Sequence, residues 1–171
     1  LQLKSSKIFA NFEYPLSEIL PKIKEYSPHS KIKIGYFSAD FKDHPVSNLT
    51  AELYELHDRS QFEIHAFSFG PDTKDEMNLR IKAGVDHFHE VSEMSDKDIT
   101  LLARSFEIDI AIDLGGYTSG SRTGIFAMRA APIQVNYLGY SGTMGASYID
   151  YLLGDKTIIP EWQHKNYSEK I

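Results

Sequence analysis

The sequence predicts an α/β domain built on a Rossmann-like, doubly wound and mainly parallel sheet. Three observations carry this. Short apolar runs rich in β-branched and aromatic residues alternate along the chain with stretches of helical periodicity. The runs are separated by helices and not by two-residue turns, so successive strands must cross over and lie parallel, with helices on both faces. At 171 residues and 42% hydrophobic, the chain supports one ordinary core, and no repeat of 20–50 residues points to a solenoid.

In chain order, "KIKIGYFS" (31–38) reads as the first strand. "PVSNLTAELYELHD" (45–58) follows as a helix, with Val46, Leu49, Leu53 and Leu56 at helical spacing. "FEIHAFSF" (62–69) is the second strand, and "KDEMNLRIKAG" (74–84) a short helix closed by Gly84. "DHFHEVS" (86–92) is the third strand. "SDKDITLLARSFE" (95–107) is a helix with Ser95 as N-cap and Asp98 at the third helical position. "IDIAIDL" (108–114) is the clearest buried strand. A Gly-rich loop, "GGYTSGS", leads to a helix near "RTGIFAMR"; "PIQVNYLGY" (132–140) is the fifth strand and "YIDYLLGD" (148–155) the sixth. Residues 1–30 read as a linker region whose helix is "PLSEILPKIKEY", and 31–171 as the lobe itself. The start at Leu1 and the polar, helix-like end "YSEKI" suggest a piece of a longer protein.

Composition narrows the function. A net charge of −6 with no basic patch opposes binding to a phosphodiester backbone, so no nucleic-acid partner is expected. The absence of cysteine excludes disulfides, thiolate metal sites and a cysteine nucleophile, and fits a cytoplasmic protein. No apolar run approaches the roughly 18 residues of a membrane span, and the N-terminus lacks the plan of a secretion signal.

Chemistry is expected beyond the carboxyl ends of the strands, where crossovers diverge. Three loops fall there: "DFKDHP", "GGYTSGSR" and "GYSGTMGA". His44 precedes Pro45, a preferred first helical residue, so His44 sits near the N-cap, where the helix dipole disfavours a protonated ring. It can serve as a proton acceptor, or merely cap the helix. His87 and His89 alternate along a strand and so share a face. A metal would need a third ligand that sequence spacing does not supply, so no metal is expected; His87 either lines the crevice or is a satisfied polar group at the sheet's end. The glycine loops match neither G-x-G-x-x-G nor the P-loop, and Ser119 and Ser121 form no nucleophile elbow. Tyr36 and Tyr137 suit core packing; Tyr117 and Tyr140, each beside a glycine, are the tyrosines expected to be exposed.

In combination, "IGYFSADFKDHPVSNL", "DHF", "DLGGYTSGSR", "APIQVNYLGYSGTMGA", "IDYLLGD" and "YSEK" resemble the catalytic region of protein O-GlcNAc transferases and the related SPINDLY-type O-fucosyltransferases. The likeness runs from about Lys31 to the last residue. It implies one of two Rossmann-like lobes of a GT-B glycosyltransferase, the sugar nucleotide being held mainly by the absent C-terminal lobe, with a tetratricopeptide (TPR) array upstream. It implies an inverting transfer to Ser/Thr hydroxyls of polypeptide acceptors, without metal or cofactor, from UDP-GlcNAc in the O-GlcNAc transferases. By the same resemblance His44 is the catalytic base or acceptor-orienting group and His87 a second active-site histidine. Gly116, Tyr117 and Thr118 would form the wall near the transferred sugar, and Leu138, Gly139 and Tyr140 the floor of the cleft. Ser141 stands where the family usually has proline. The isolated lobe is expected to be inactive. The alternative reading is a non-catalytic Rossmann-like protein-interaction module; a receiver domain fits less well, because Asp40 and Asp43 lack a matched phosphoacceptor aspartate.

Overall fold

The computed structural model describes residues 1–14, 20–24 and 26–171. Its centre is a six-stranded sheet in the order β3-β2-β1-β4-β5-β6, with every pairing parallel. The strands are β1 (Ile32–Ser38), β2 (Phe62–Ser68), β3 (His87–Glu90), β4 (Ile110–Asp113), β5 (Ile133–Tyr137) and β6 (Tyr151–Leu153). The helices are α1 (Gln2–Glu13), α2 (Pro45–Leu56), α3 (Glu76–Gly84), α4 (Asp96–Ser105) and the single-turn α5 (Gly124–Ala127). This order places the switch point between β1 and β4, where crossovers leave in opposite directions.

Parallel strands covered on both faces must be apolar on both, and β1 meets that demand from Ile34 to Ser38 without an exposed residue. Its alternate side chains feed two cores. Phe37 stacks on Phe67 across the β1–β2 register (centroids 4.4 Å, planes 4° apart) and meets Phe126 edge-on, in the layer under α4 and α5. Tyr36 points the other way, edge-on to Tyr54 of α2 at 4.9 Å, in the layer with Ile64 and Ile81.

Several sequence expectations are corrected. The helix of the first thirty residues is α1, over Gln2–Glu13. Of the expected helix at 15–26, residues 15–19 and 25 lie outside the described residues, and 20–24 and 26 form no helix. The sixth strand is shorter than 148–155 because the Ile149 N–H turns back to Ala146 O, while the Asp150 carboxylate is taken by Arg129 and the Gln134 N–H. The helix near 122–129 ends after one turn at Arg129, whose φ of +64° leaves the helical region. The "YSEKI" end is not helical. A 3₁₀ helix spans Glu161–Asn166, after which Lys170 bridges Tyr151 at the β6 edge. The buried Glu169 carboxylate accepts the Thr143 hydroxyl at 2.7 Å and the Met144 N–H at 2.8 Å. No helix among the described residues is long and apolar enough to cross a membrane.

Candidate active site

His44 caps α2. Its backbone is extended (φ −153°, ψ 148°), Pro45 opens the helix, and the ring Nδ1 accepts the Val46 N–H at 3.3 Å. The loop that carries it is tied at both ends. The Ser38 hydroxyl accepts the Asp40 N–H at 2.9 Å, and the Ser47 hydroxyl donates to Asp40 O. The Asn78 amide of α3 donates to Phe41 O at 2.7 Å, and Asp75, the N-cap of α3, accepts the Asp43 N–H at 3.1 Å. Asp40 lies between Lys42 Nζ (3.6 Å) and His44 Nδ1 (3.7 Å). An Nδ1 that accepts leaves the proton of the neutral ring on Nε2, so the capped ring has a donor to offer outward.

The loop after β4 is held by Asp113. This side chain is buried, and its Oδ1 accepts the Gly115 and Gly116 N–H groups at 2.9 and 3.0 Å. Burial pushes its carboxyl above the usual range, and the two N–H donors oppose that shift. Gly116 has φ +55°, and a Cβ there would lie 2.5 Å from Tyr140 Cβ. The Tyr117 hydroxyl donates to Met144 O at 2.9 Å, and its ring meets Phe9 of α1 and Tyr140 edge-on. Burial pushes the Tyr117 phenol up to about 12, so it donates at neutral pH. Thr118 is exposed and donates to Gly115 O at 2.8 Å.

After β5 the chain turns through Leu138 at φ +69°. Gly139 lies so close to β4 that a Cβ would collide with Leu114 O, while the Asn136 amide donates to Tyr140 O at 2.8 Å. The Gln2 amide of α1 donates to the Tyr140 hydroxyl at 3.1 Å.

These loops enclose a cleft of about 630 Å³ at the carboxyl edge, lined by His44, Asp40, Phe69, Thr118, Gly120 and Gly139 among others. Of the expected site residues, His44, Thr118 and Gly139 therefore meet at its surface. Gly116, Tyr117 and Tyr140 stand behind as packed support, and Tyr117 and Tyr140 are half-buried where exposure was expected. Leu138 shapes the turn beside Gly139. His87 does not join them. It opens β3 at the strand's amino end, in register with His65 of β2, so its ring lies beside Glu63 and His65 and off the cleft. Phe69 also lines the cleft, and the sequence signal for it is its place just past β2. A larger cavity of about 890 Å³ is lined by Leu20, Ile23, Tyr26 and His29, near Asp109 and Pro132. It sits at the amino ends of β4 and β5, away from the switch point, so position and not size selects the smaller cleft.

A parallel sheet in this order, with a capped histidine and two glycine turns closing a cleft over its switch point, defines a Rossmann-like α/β lobe that binds its ligand at the carboxyl edge. Residues 12–171 match the model of glycosyl transferase family 41, and the chain belongs to that family. It is 40% identical over 149 residues to the probable UDP-N-acetylglucosamine–peptide N-acetylglucosaminyltransferase SEC of Arabidopsis thaliana, covering 87% of this chain and 15% of that protein. It is 34% identical over 143 residues to the UDP-N-acetylglucosamine–peptide N-acetylglucosaminyltransferase of Caenorhabditis elegans, covering 82% of this chain and 12% of that one. A solved structure of a Thermobaculum terrenum O-GlcNAc transferase mutant, K341M, superposes with a TM-score of 0.87 at 30% identity. It covers 98% of this chain and 33% of its own. The chain thus spans under a sixth of these two curated relatives and a third of the solved chain.

Proposed function

We propose that this chain is the acceptor-side lobe of an inverting protein O-glycosyltransferase that moves GlcNAc from UDP-GlcNAc to Ser/Thr hydroxyls of polypeptides. The observation that carries the reading is the cleft over the switch point, where His44, Thr118 and Gly139 share one surface. The relatives, named as peptide N-acetylglucosaminyltransferases, support the chemistry over a non-catalytic interaction module. A C-terminal lobe holds most of the donor, and an upstream TPR array presents acceptors in the cytoplasm. Transfer needs no metal or cofactor in this reading.

His44 acts on the acceptor. With Nδ1 engaged by the Val46 N–H, the ring donates from Nε2 and orients the hydroxyl oxygen toward the sugar. To take the hydroxyl proton at Nε2 it must hold its own proton on Nδ1, which breaks the cap; the geometry thus favours orientation, the hydroxyl proton passing to a phosphate oxygen of the UDP that departs as its bond to the sugar breaks. Gly116, Tyr117 and Tyr140 keep the wall in place, and the Leu138–Gly139 turn forms the floor.

The test is transfer to an acceptor peptide by the full-length protein, with UDP-GlcNAc and GDP-fucose compared directly. Transfer of GlcNAc that is lost in His44→Ala supports the reading. Transfer of fucose alone overturns the donor assignment, and near-normal transfer by His44→Ala overturns the role of His44.

A further inference from the structure

On the sheet face under α4, period-two alternation puts Glu63 and His65 of β2 beside His87 and His89 of β3. The parallel register pairs His65 with His87, and their ring centroids are 4.5 Å apart. Glu63 Oε1 lies 2.9 Å from His65 Nε2 and 3.3 Å from His87 Nε2, and the three ligand atoms fall within 4.8 Å of one another. Tetrahedral zinc bonds of about 2.0–2.1 Å put neighbouring donors roughly 3.4 Å apart. The two contacts made by Glu63 therefore need little adjustment, and the half-exposed His87 ring has room to swing in.

The surroundings suit a ligand set. His65 is 2% exposed, and its other nitrogen, Nδ1, faces His89 Nε2 at 3.1 Å. His89 is itself fixed between Phe67 and Phe106, each at 4.7 Å. A ligating histidine commonly hands its second N–H to such a partner, which sets the tautomer and the ring plane. Lys33 lies opposite Glu63 on β1, and its Nζ is occupied by Phe106 O at 2.9 Å. The carboxylate oxygen shared by two imidazoles marks where a cation would replace two N–H protons. The exposed side of His87 leaves a position for water.

We propose that Glu63, His65 and His87 form a binding site for a divalent transition-metal ion, zinc by donor set, that pins edge strand β3 to β2. The site lies at the amino end of β3, separate from the cleft at the carboxyl edge. Metal-stripped full-length protein, free of any affinity tag, is titrated with zinc and its metal content measured after dialysis. His87→Ala is expected to hold one zinc equivalent fewer per chain than the parent, and Glu63→Gln to behave likewise. His164→Ala, an exposed histidine elsewhere, keeps the full count. His89→Leu, which removes the partner of His65 and no ligand, weakens the site by about 10–100-fold. Zinc raises the unfolding midpoint of the parent and not of His87→Ala. Equal zinc content in the parent and His87→Ala overturns the proposal, as does an equal zinc-induced shift in their midpoints.

Discussion

The Nδ1 of His44 accepts the main-chain N–H of Val46, two residues along, so the residue that caps α2 is also the one whose ring opens on the cleft. Cap and chemistry can be separated by substitution. His44→Ala loses both the cap and the donor, costing about 1 kcal/mol in stability and about 10²-fold or more in kcat/KM for peptide transfer. His44→Asn keeps an acceptor for Val46 and an amide donor. It should retain clearly more activity than Ala if the ring only orients the hydroxyl. Equal losses in the two variants, with a pH profile flattened in both, would assign proton removal to the imidazole.

Gly116 faces Tyr140 with no room for a side chain. Gly116→Ala meets both the +55° φ and Tyr140 Cβ, and should cost about 1–3 kcal/mol. Because the obstructing atom is the Cβ, Tyr140→Ala in the same chain does not rescue it. Denaturant midpoints of the single and double variants check this.

His57, just past α2, accepts the Tyr36 hydroxyl at 2.8 Å through Nε2. Burial, and then the Arg59 guanidinium, hold its pKa below the ordinary imidazole value. The unfolded chain therefore takes up this proton first as the pH falls below about 6.5, and the folded state loses stability until its own lower pKa is reached. His57→Gln keeps an acceptor for Tyr36 and does not titrate. Its stability should fall less steeply than the parent's between pH 7 and 5, measured by urea unfolding at each pH.

Ser141 is exposed, and among the described residues its N–H finds no protein acceptor, while its carbonyl receives the Tyr167 hydroxyl at 3.0 Å. Proline at this position removes no N–H that is used. Ser141→Pro should raise stability by about 0.4–1 kcal/mol through the unfolded chain, and thermal unfolding reads the sign.

The order of strands and helices was legible because parallel crossovers need alternating patterns, and His44 because His-Pro before a periodic run marks a helix start. Lateral relationships were not. The resemblance implies a place for His87 in the active site, whereas the register of β2 against β3 sets it beside His65, with Glu63 at 3.3 Å. A neighbouring loop glycine suggests exposure for Tyr117 and Tyr140, but α1 brings Phe9 and Gln2 onto them. The shortness of β6 followed from side-chain demands on Asp150, which no local periodicity records.

The near-contact of Gly139 with Leu114, with the Asn136 amide fastened to Tyr140, joins the rims after β4 and β5 into a single piece. A guest docking against that rim finds it already ordered and forfeits little entropy in settling there. Any rearrangement of the cleft that involves this rim therefore carries the turns after β4 and β5 along together.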